Sequence, residues 1–194
     1  MKLFSLRTFS RNRAGKAYTL LELLIVISII ATLAAIATPV SMSVMNQART
    51  TECAQQMSNL ITAMKGYKME YGHIPIKTGL TETDLLKTDS GDGINLIKCL
   101  TGENNVSFKN PRGIVFFEPN YTDTKKGGLD AITYALYDPW GRPYEMLLDV
   151  NFDKEIDAIG LGFRGLPPVR KEILIISRGK DNTDLNDVIF SWKK

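Results

Sequence analysis

The sequence has little of what most enzymes and metal proteins use. It holds one histidine, His73, and two cysteines, Cys53 and Cys99, in 194 residues. A single imidazole leaves no Ser/His/Asp grouping, and the Cys and His positions do not have metal-ligand spacing. There is no phosphate-cradling glycine loop and no thiolate motif. The chain therefore reads as a non-enzyme, with His73 a turn residue. Cys53 sits in a polar helical stretch and Cys99 in an apolar one. That unlike setting favours two unpaired thiols, although an oxidising compartment leaves a bridge between them open. Acid is absent from the first 17 residues, which carry Lys2, Arg7, Arg11, Arg13 and Lys16. The formal charge of +3 is thus a property of this segment. Beyond it, 19 basic residues face 21 acidic ones, a balance that argues against a nucleic-acid-binding face.

The basic segment gives way to an apolar run. From Tyr18 through Val40 the only charge is Glu22. At about 1.5 Å per helical residue this run spans the roughly 30 Å core of a bilayer. Basic residues on its N-terminal side place that end in the cytoplasm and the rest across the membrane. A carboxylate near the start of such a run costs a few kcal/mol or more unless it lies at the interface or finds a partner.

The stretch K-A-Y-T-L-L-E-L-L-I-V-I, with Pro39 downstream of it, resembles the class III signal and N-terminal helix of type IV pilins and type II secretion pseudopilins. The resemblance implies cleavage by a prepilin peptidase after Ala17 and N-methylation of the new terminus at Tyr18. Glu22 becomes the fifth mature residue, and Pro39 the twenty-second. Ala17 stands where glycine is usual and Tyr18 where phenylalanine is usual. Two other readings compete. One is a secretory signal peptide cut near Ala34, Ala35, Ile36 and Ala37; the other is a plain single-pass anchor. Neither accounts for Glu22.

The fold class read from the chain is α+β: a long N-terminal membrane-spanning helix packed on a small antiparallel sheet, as in pilins. The expected parts are a cleaved leader (1–17), a transmembrane or filament-core helix (18–40), its amphipathic continuation (41–72), a variable αβ region (73–135) and a sheet with an acidic terminal loop (136–194). Met57, Leu60, Ile61, Met64, Tyr67 and Tyr71 form one helical stripe. The helix is thus expected to run without a stop at Pro39 from 19 to 71, with Gly72 as its C-cap. Short helices are expected from 81 and, capped by Asp92, through Leu100. Residues 114–117 read as a strand or a helical turn, 131–136 as a strand, and 144–148 with 155–159 as a hairpin. The segment 172–176 is the strongest strand. Asp149, Asn151 and Asp153 form half of a calcium-loop pattern. Lys154 and Gly160 stand where it needs glycine and glutamate, so an Asx-bonded turn is preferred.

Two further stretches carry the resemblance. D-P-W-G-R-P-Y at 138–144 looks like the turn that opens the sheet of the major pseudopilin. S-R-G-K-D with D-V-I-F-S-W, around the 181–187 loop, looks like its calcium loop. This implies calcium held by Asp181 and Asp187, with Asp184, Asn182 and Asn186 as weaker ligands; a metal-free Asx turn is the alternative. The whole reads as a pseudopilin, closest to the major one. Its expected partners are prepilin peptidase, copies of itself and other pseudopilins, the inner-membrane assembly platform, and lipid before assembly. The expected place is the bacterial inner membrane, with the N-terminus cytoplasmic and the head periplasmic, and then the filament. A type IV pilus subunit is the nearer alternative, and an anchored calcium-binding or enzymatic head the more distant one.

Overall fold

The computed structural model describes residues 18–104, 107–162, 167–181 and 184–193, without the side chains of 37–40 and Leu185. Ala17 and Asn182 lie outside these residues, as does the side chain of Pro39. The chain forms two units, one up to Val44 and one from Met45 onward.

Helix α1 runs Leu20–Tyr71, 52 residues, through Pro39 as the pattern predicts. It ends at Gly72, whose φ of 84° suits glycine and whose N–H reaches Lys68 O at 2.8 Å. In the first unit, residues 20–36 are all exposed. This half is apolar on every side and is long and apolar enough to cross a membrane. Ser28 and Thr32 donate their hydroxyls to Ile25 O and Ile29 O, both at 2.8 Å, so these two polar groups are satisfied within the helix.

In the second unit α1 becomes one-sided. Cys53, Met57, Leu60, Met64 and Tyr67, spaced alternately four and three apart, are at most 2% exposed. That spacing keeps one seam facing a core. Tyr67 donates to Lys109 O, and Tyr71 donates to Oδ1 of the buried Asn110 at 2.8 Å. Asn110 Nδ2 in turn donates to Cys99 O (2.7 Å) and Ile114 O (2.8 Å), so one side chain ties three segments.

The core is completed by helix α2 and a four-stranded sheet. Helix α2, Gly91–Leu100, buries Leu96, Ile97, Cys99 and Leu100. Its N-cap is Ser90, without a side-chain bond; Asp92 lies in the first turn and pairs with Lys77 at 2.7 Å, so it does not cap as expected. Strands β1 (Leu86–Lys87), β4 (Glu145–Leu148), β5 (Ile173–Ser177) and β6 (Ile189–Phe190) lie in the order β1-β4-β5-β6, all antiparallel. Met146, Leu148, Ile173 and Ile175 join the core cluster that includes α1. Leu147, Leu174 and Ile176 meet Ile156, Leu161 and Val188 on the other face. A second, two-stranded sheet pairs β2 (Gly128–Leu129) with β3 (Leu136–Tyr137). One long helix with a small antiparallel sheet gives the expected α+β, pilin-like architecture.

Four further local expectations are corrected. Residues 81–85 form turns, with Thr81 N bonding Asp84 Oδ2 at 2.7 Å, and Leu86 already belongs to β1, so the expected helix is absent. Residues 131–134 are a turn, since Asp130 Oδ1 accepts from Ile132 N and Thr133 N, both at 2.9 Å. Segment 155–159 does not return beside β4. Ile156 bridges Val169 instead, a 3-10 turn follows at Ala158–Leu161, and β5 takes the neighbouring place. Residues 114–117 are neither strand nor helix, and Phe116 N and Phe117 N both bond Leu100 O.

Candidate assembly and loop sites

The start of α1 is built by two side chains. Thr19 Oγ1 accepts from Glu22 N at 3.1 Å, while Glu22 Oε2 accepts from Thr19 N (2.8 Å) and Thr19 Oγ1 (2.9 Å). This is a reciprocal capping box, which satisfies amides the first helical turn leaves without partners. Hydropathy alone marks Glu22 only as a charge awaiting a partner. The signal that reveals the cap is T-x-x-E at 19–22, directly ahead of an apolar run. Glu22 therefore has a role within its own chain: it starts the helix.

The two remaining motifs, the 138–144 turn and the 177–187 loop, prove to be one structure. Asp138 is fully buried, and its Oδ1 accepts from Trp140 N (2.9 Å) and Arg142 N (2.8 Å), which closes the D-P-W-G-R turn. Its Oδ2 accepts from Ser177 Oγ, at the end of β5, at 2.6 Å. Ser177 Oγ accepts from Gly179 N at 3.0 Å, and Arg142 Nη2 donates to Lys180 O at 3.0 Å. Burial raises the Asp138 carboxyl above its ordinary value, against the hydrogen bonds from Ser177, Arg142, Trp140 and Gly141 that lower it. Gly179, with φ 65°, passes so near Asp187 that a Cβ built on it would lie 2.0 Å from Asp187 O.

Beside this junction, Cys53 packs with Ser177 and Tyr144, and Tyr144 donates to Gln56 Oε1 at 2.5 Å. Burial pushes the Cys53 thiol up to about 11 and that of Cys99 to about 12. Both cysteines are free and buried, as their unlike settings suggested.

Among the residues expected to hold calcium, those described are hydrogen-bonded within the loop. Asp187 Oδ2 accepts from Asp181 N at 2.9 Å, spanning the loop. Asp184 Oδ1 accepts from both Asn186 N and Asn186 Nδ2 at 2.9 Å. Calcium takes six to eight oxygens at about 2.3–2.6 Å. The carboxylates of Asp181, Asp184 and Asp187 are not clustered as a group of three among the described residues. The carboxylates that do converge are those of Glu82, Asp149 and Asp153, with oxygens within 4.8 Å of one another. Asn151 Nδ2 donates to Glu82 Oε2 (3.3 Å) and Asp153 Oδ2 (3.0 Å). The Asx-bonded turn expected there is present: Asp149 accepts from Phe152 N (2.6 Å) and Lys154 N (2.9 Å).

Residues 12–38 match the family model described as the prokaryotic N-terminal methylation motif. No curated protein and no solved structure matches the chain. The match covers the end of the basic segment, Ala17, Tyr18 and Glu22. Pro39 and everything after it lie beyond the matched residues. With the exposed apolar half of α1, the motif fits a membrane-anchored, single-pass, pilin-like chain.

Proposed function

We propose that this chain is a structural subunit of a pilus-like filament, of the pseudopilin kind that serves type II secretion. It is cut after Ala17 by a prepilin peptidase, methylated at Tyr18, held in the inner membrane with its head outside the cytoplasm, and assembled through α1. The observation that carries this reading is the overlap of the methylation motif at 12–38 with a helix that starts at Leu20 and whose residues 20–36 are all exposed. Such a surface needs lipid or neighbouring apolar helices. The pseudopilus is favoured over a type IV pilus by the D-P-W-G-R-P-Y turn joined to the terminal loop, and by cysteines that stay free and buried.

Intact-mass and N-terminal peptide analysis of the protein from its own membranes tests the reading. A chain that starts at N-methyl-Tyr18 is expected. One that retains Met1, or is cut near Ala37, rejects it. Loss of secreted proteins, rather than of surface pili, in a strain lacking the chain then separates pseudopilus from pilus.

The terminal loop is tied by protein groups: Asp187 Oδ2 accepts from Asp181 N, and Lys180 O accepts from Arg142 Nη2 of the 138–144 turn. A chelator is therefore expected to leave the Tm of wild type and Asp187→Asn equally unmoved. A calcium-dependent rise in Tm that Asp187→Asn abolishes would restore the ion to this loop.

A further inference from the structure

An open cavity of about 370 Å³ lies between α1, the 149–155 turn, the start of β5 and the end of the chain. Its size is within the range of small-molecule sites. Four cations line it: Lys65 from α1, Lys154 from the turn, and Arg170 and Lys171 ahead of β5. The floor is apolar, with Ile61, Ile173 and Trp192, and Phe190 packs edge-on against the Trp192 ring at 5.0 Å.

The charge here is not balanced locally. The one acid in the lining, Glu172, is held by Lys68 at 2.6 Å, and Arg170 is held by Glu155 at 3.0 Å. Lys65, Lys154 and Lys171 form no ion pair among the described residues. Three lysines without an ion pair among the described residues thus line one cavity, in a chain with a slight excess of acid beyond residue 17. Lys154 also occupies a left-handed backbone conformation, φ 66°, of the kind that glycine adopts without strain. A non-glycine residue is strained in that conformation, yet a lysine stands at this place in the cavity lining.

We propose that this cavity binds a phosphate group carried on an apolar body. Compact ammonium charges suit phosphate oxygens. Three unpaired cations exceed what one carboxylate would neutralise. The indole and the two isoleucines take the apolar part of the ligand. A phospholipid headgroup and a free phosphate compound share this chemistry. The site lies wholly in the unit that begins at Met45 and does not depend on filament assembly.

The test uses the full chain in a neutral detergent, monitored by Trp fluorescence and calorimetry. The probes are inorganic phosphate, short-chain phosphatidylglycerol and, as a charge-neutral control, short-chain phosphatidylcholine. Phosphatidylglycerol is expected to shift the Trp192 emission, a shift lost in Trp192→Phe, while phosphatidylcholine does not. Lys65→Glu with Lys171→Glu should weaken binding by about tenfold or more. Lys154→Gly removes one cation and relieves the backbone, so it should weaken binding severalfold without lowering the Tm. Phosphatidylglycerol binding well above inorganic phosphate assigns a lipid headgroup, and equal binding of the two assigns a free phosphate compound. A Trp192 signal unmoved by either anion, or affinity unchanged in the lysine variants, overturns the proposal.

Discussion

Replacing Glu22 with alanine is expected to cut filament yield by about a hundredfold, while the chain is still processed and inserted. On the proposed filament reading, its carboxylate lies among apolar helices and needs a cation. The amine created at Tyr18 of an adjacent subunit is the one the resemblance supplies. Removing one partner of a buried pair costs about 3–5 kcal/mol, whereas losing a helix cap costs about 1 kcal/mol. Alanine removes both functions of Glu22, so alanine alone does not separate them. Glutamine does. It keeps the reciprocal bonds with Thr19, because a capping box accepts Glu or Gln at its fourth position, but it carries no charge. If charge pairing sets assembly, Glu22→Gln fails nearly as badly as Glu22→Ala. If helix initiation is what matters, Glu22→Gln makes filaments and Glu22→Ala does not. Sheared filament recovered per amount of processed chain in the membrane is the quantity to compare. Wild-type yield from the alanine variant would remove both roles.

Gly179→Ala is expected to damage the head severely, lowering the Tm of the full chain in detergent by about 10 °C. A methyl group there would meet Asp187 O at 2.0 Å, on a backbone with φ 65°. Gly179 N also holds Ser177 Oγ, and through it Asp138. Backbone strain, the clash and the broken chain of bonds together amount to about 3 kcal/mol or more, and each kcal/mol is worth about 2–4 °C in a chain of this size. Gly162→Ala is the matched control. Its φ is 86°, but among the described residues nothing lies within 4 Å of the added carbon, so it carries only the conformational penalty, about 1 kcal/mol. Equal losses in the two variants would mean that the close approach of Gly179 to Asp187 contributes nothing.

Where one physical signal dominates, the sequence is legible. The helix expected over 19–71 forms almost to the residue, because a charge-free run followed by a regular stripe leaves few alternatives. Met57, Leu60, Met64 and Tyr67 are buried as the stripe requires, and Ile61 and Tyr71 lie at its partly covered edges. Strand β5 is legible for a different reason: Ile173, Leu174, Ile175 and Ile176 are apolar on both faces, and both faces are covered. The hairpin expected after β4 does not form, because local alternation at 155–159 says nothing about which strand lies alongside. That place goes to β5, about 25 residues later, by non-local packing. Asp84, Asp130 and Asp149 each redirect the chain through side-chain bonds to nearby amides, and such bonds compete with regular structure without altering hydrophobic pattern. The site is legible in part. D-P-W-G-R-P-Y and the terminal loop each stand out as motifs, but their union through Asp138, Ser177 and Gly179 joins residues 39 apart, which no spacing rule contains.

The two buried thiols bear on how the head opens. Cys53 and Cys99 are both fully inaccessible, and burial holds each well above the range where a thiolate forms near neutral pH. An alkylating reagent can reach either one only after the core around it has separated. Cys53 sits where α1 meets Tyr144 and Ser177, whereas Cys99 lies in α2, so each thiol samples a different part of the same interior. Native-state labelling rates at the two positions therefore measure two opening reactions. Matching rates describe a head that opens as a single cooperative unit; a faster Cys99 describes α2 detaching while α1 and the sheet remain joined.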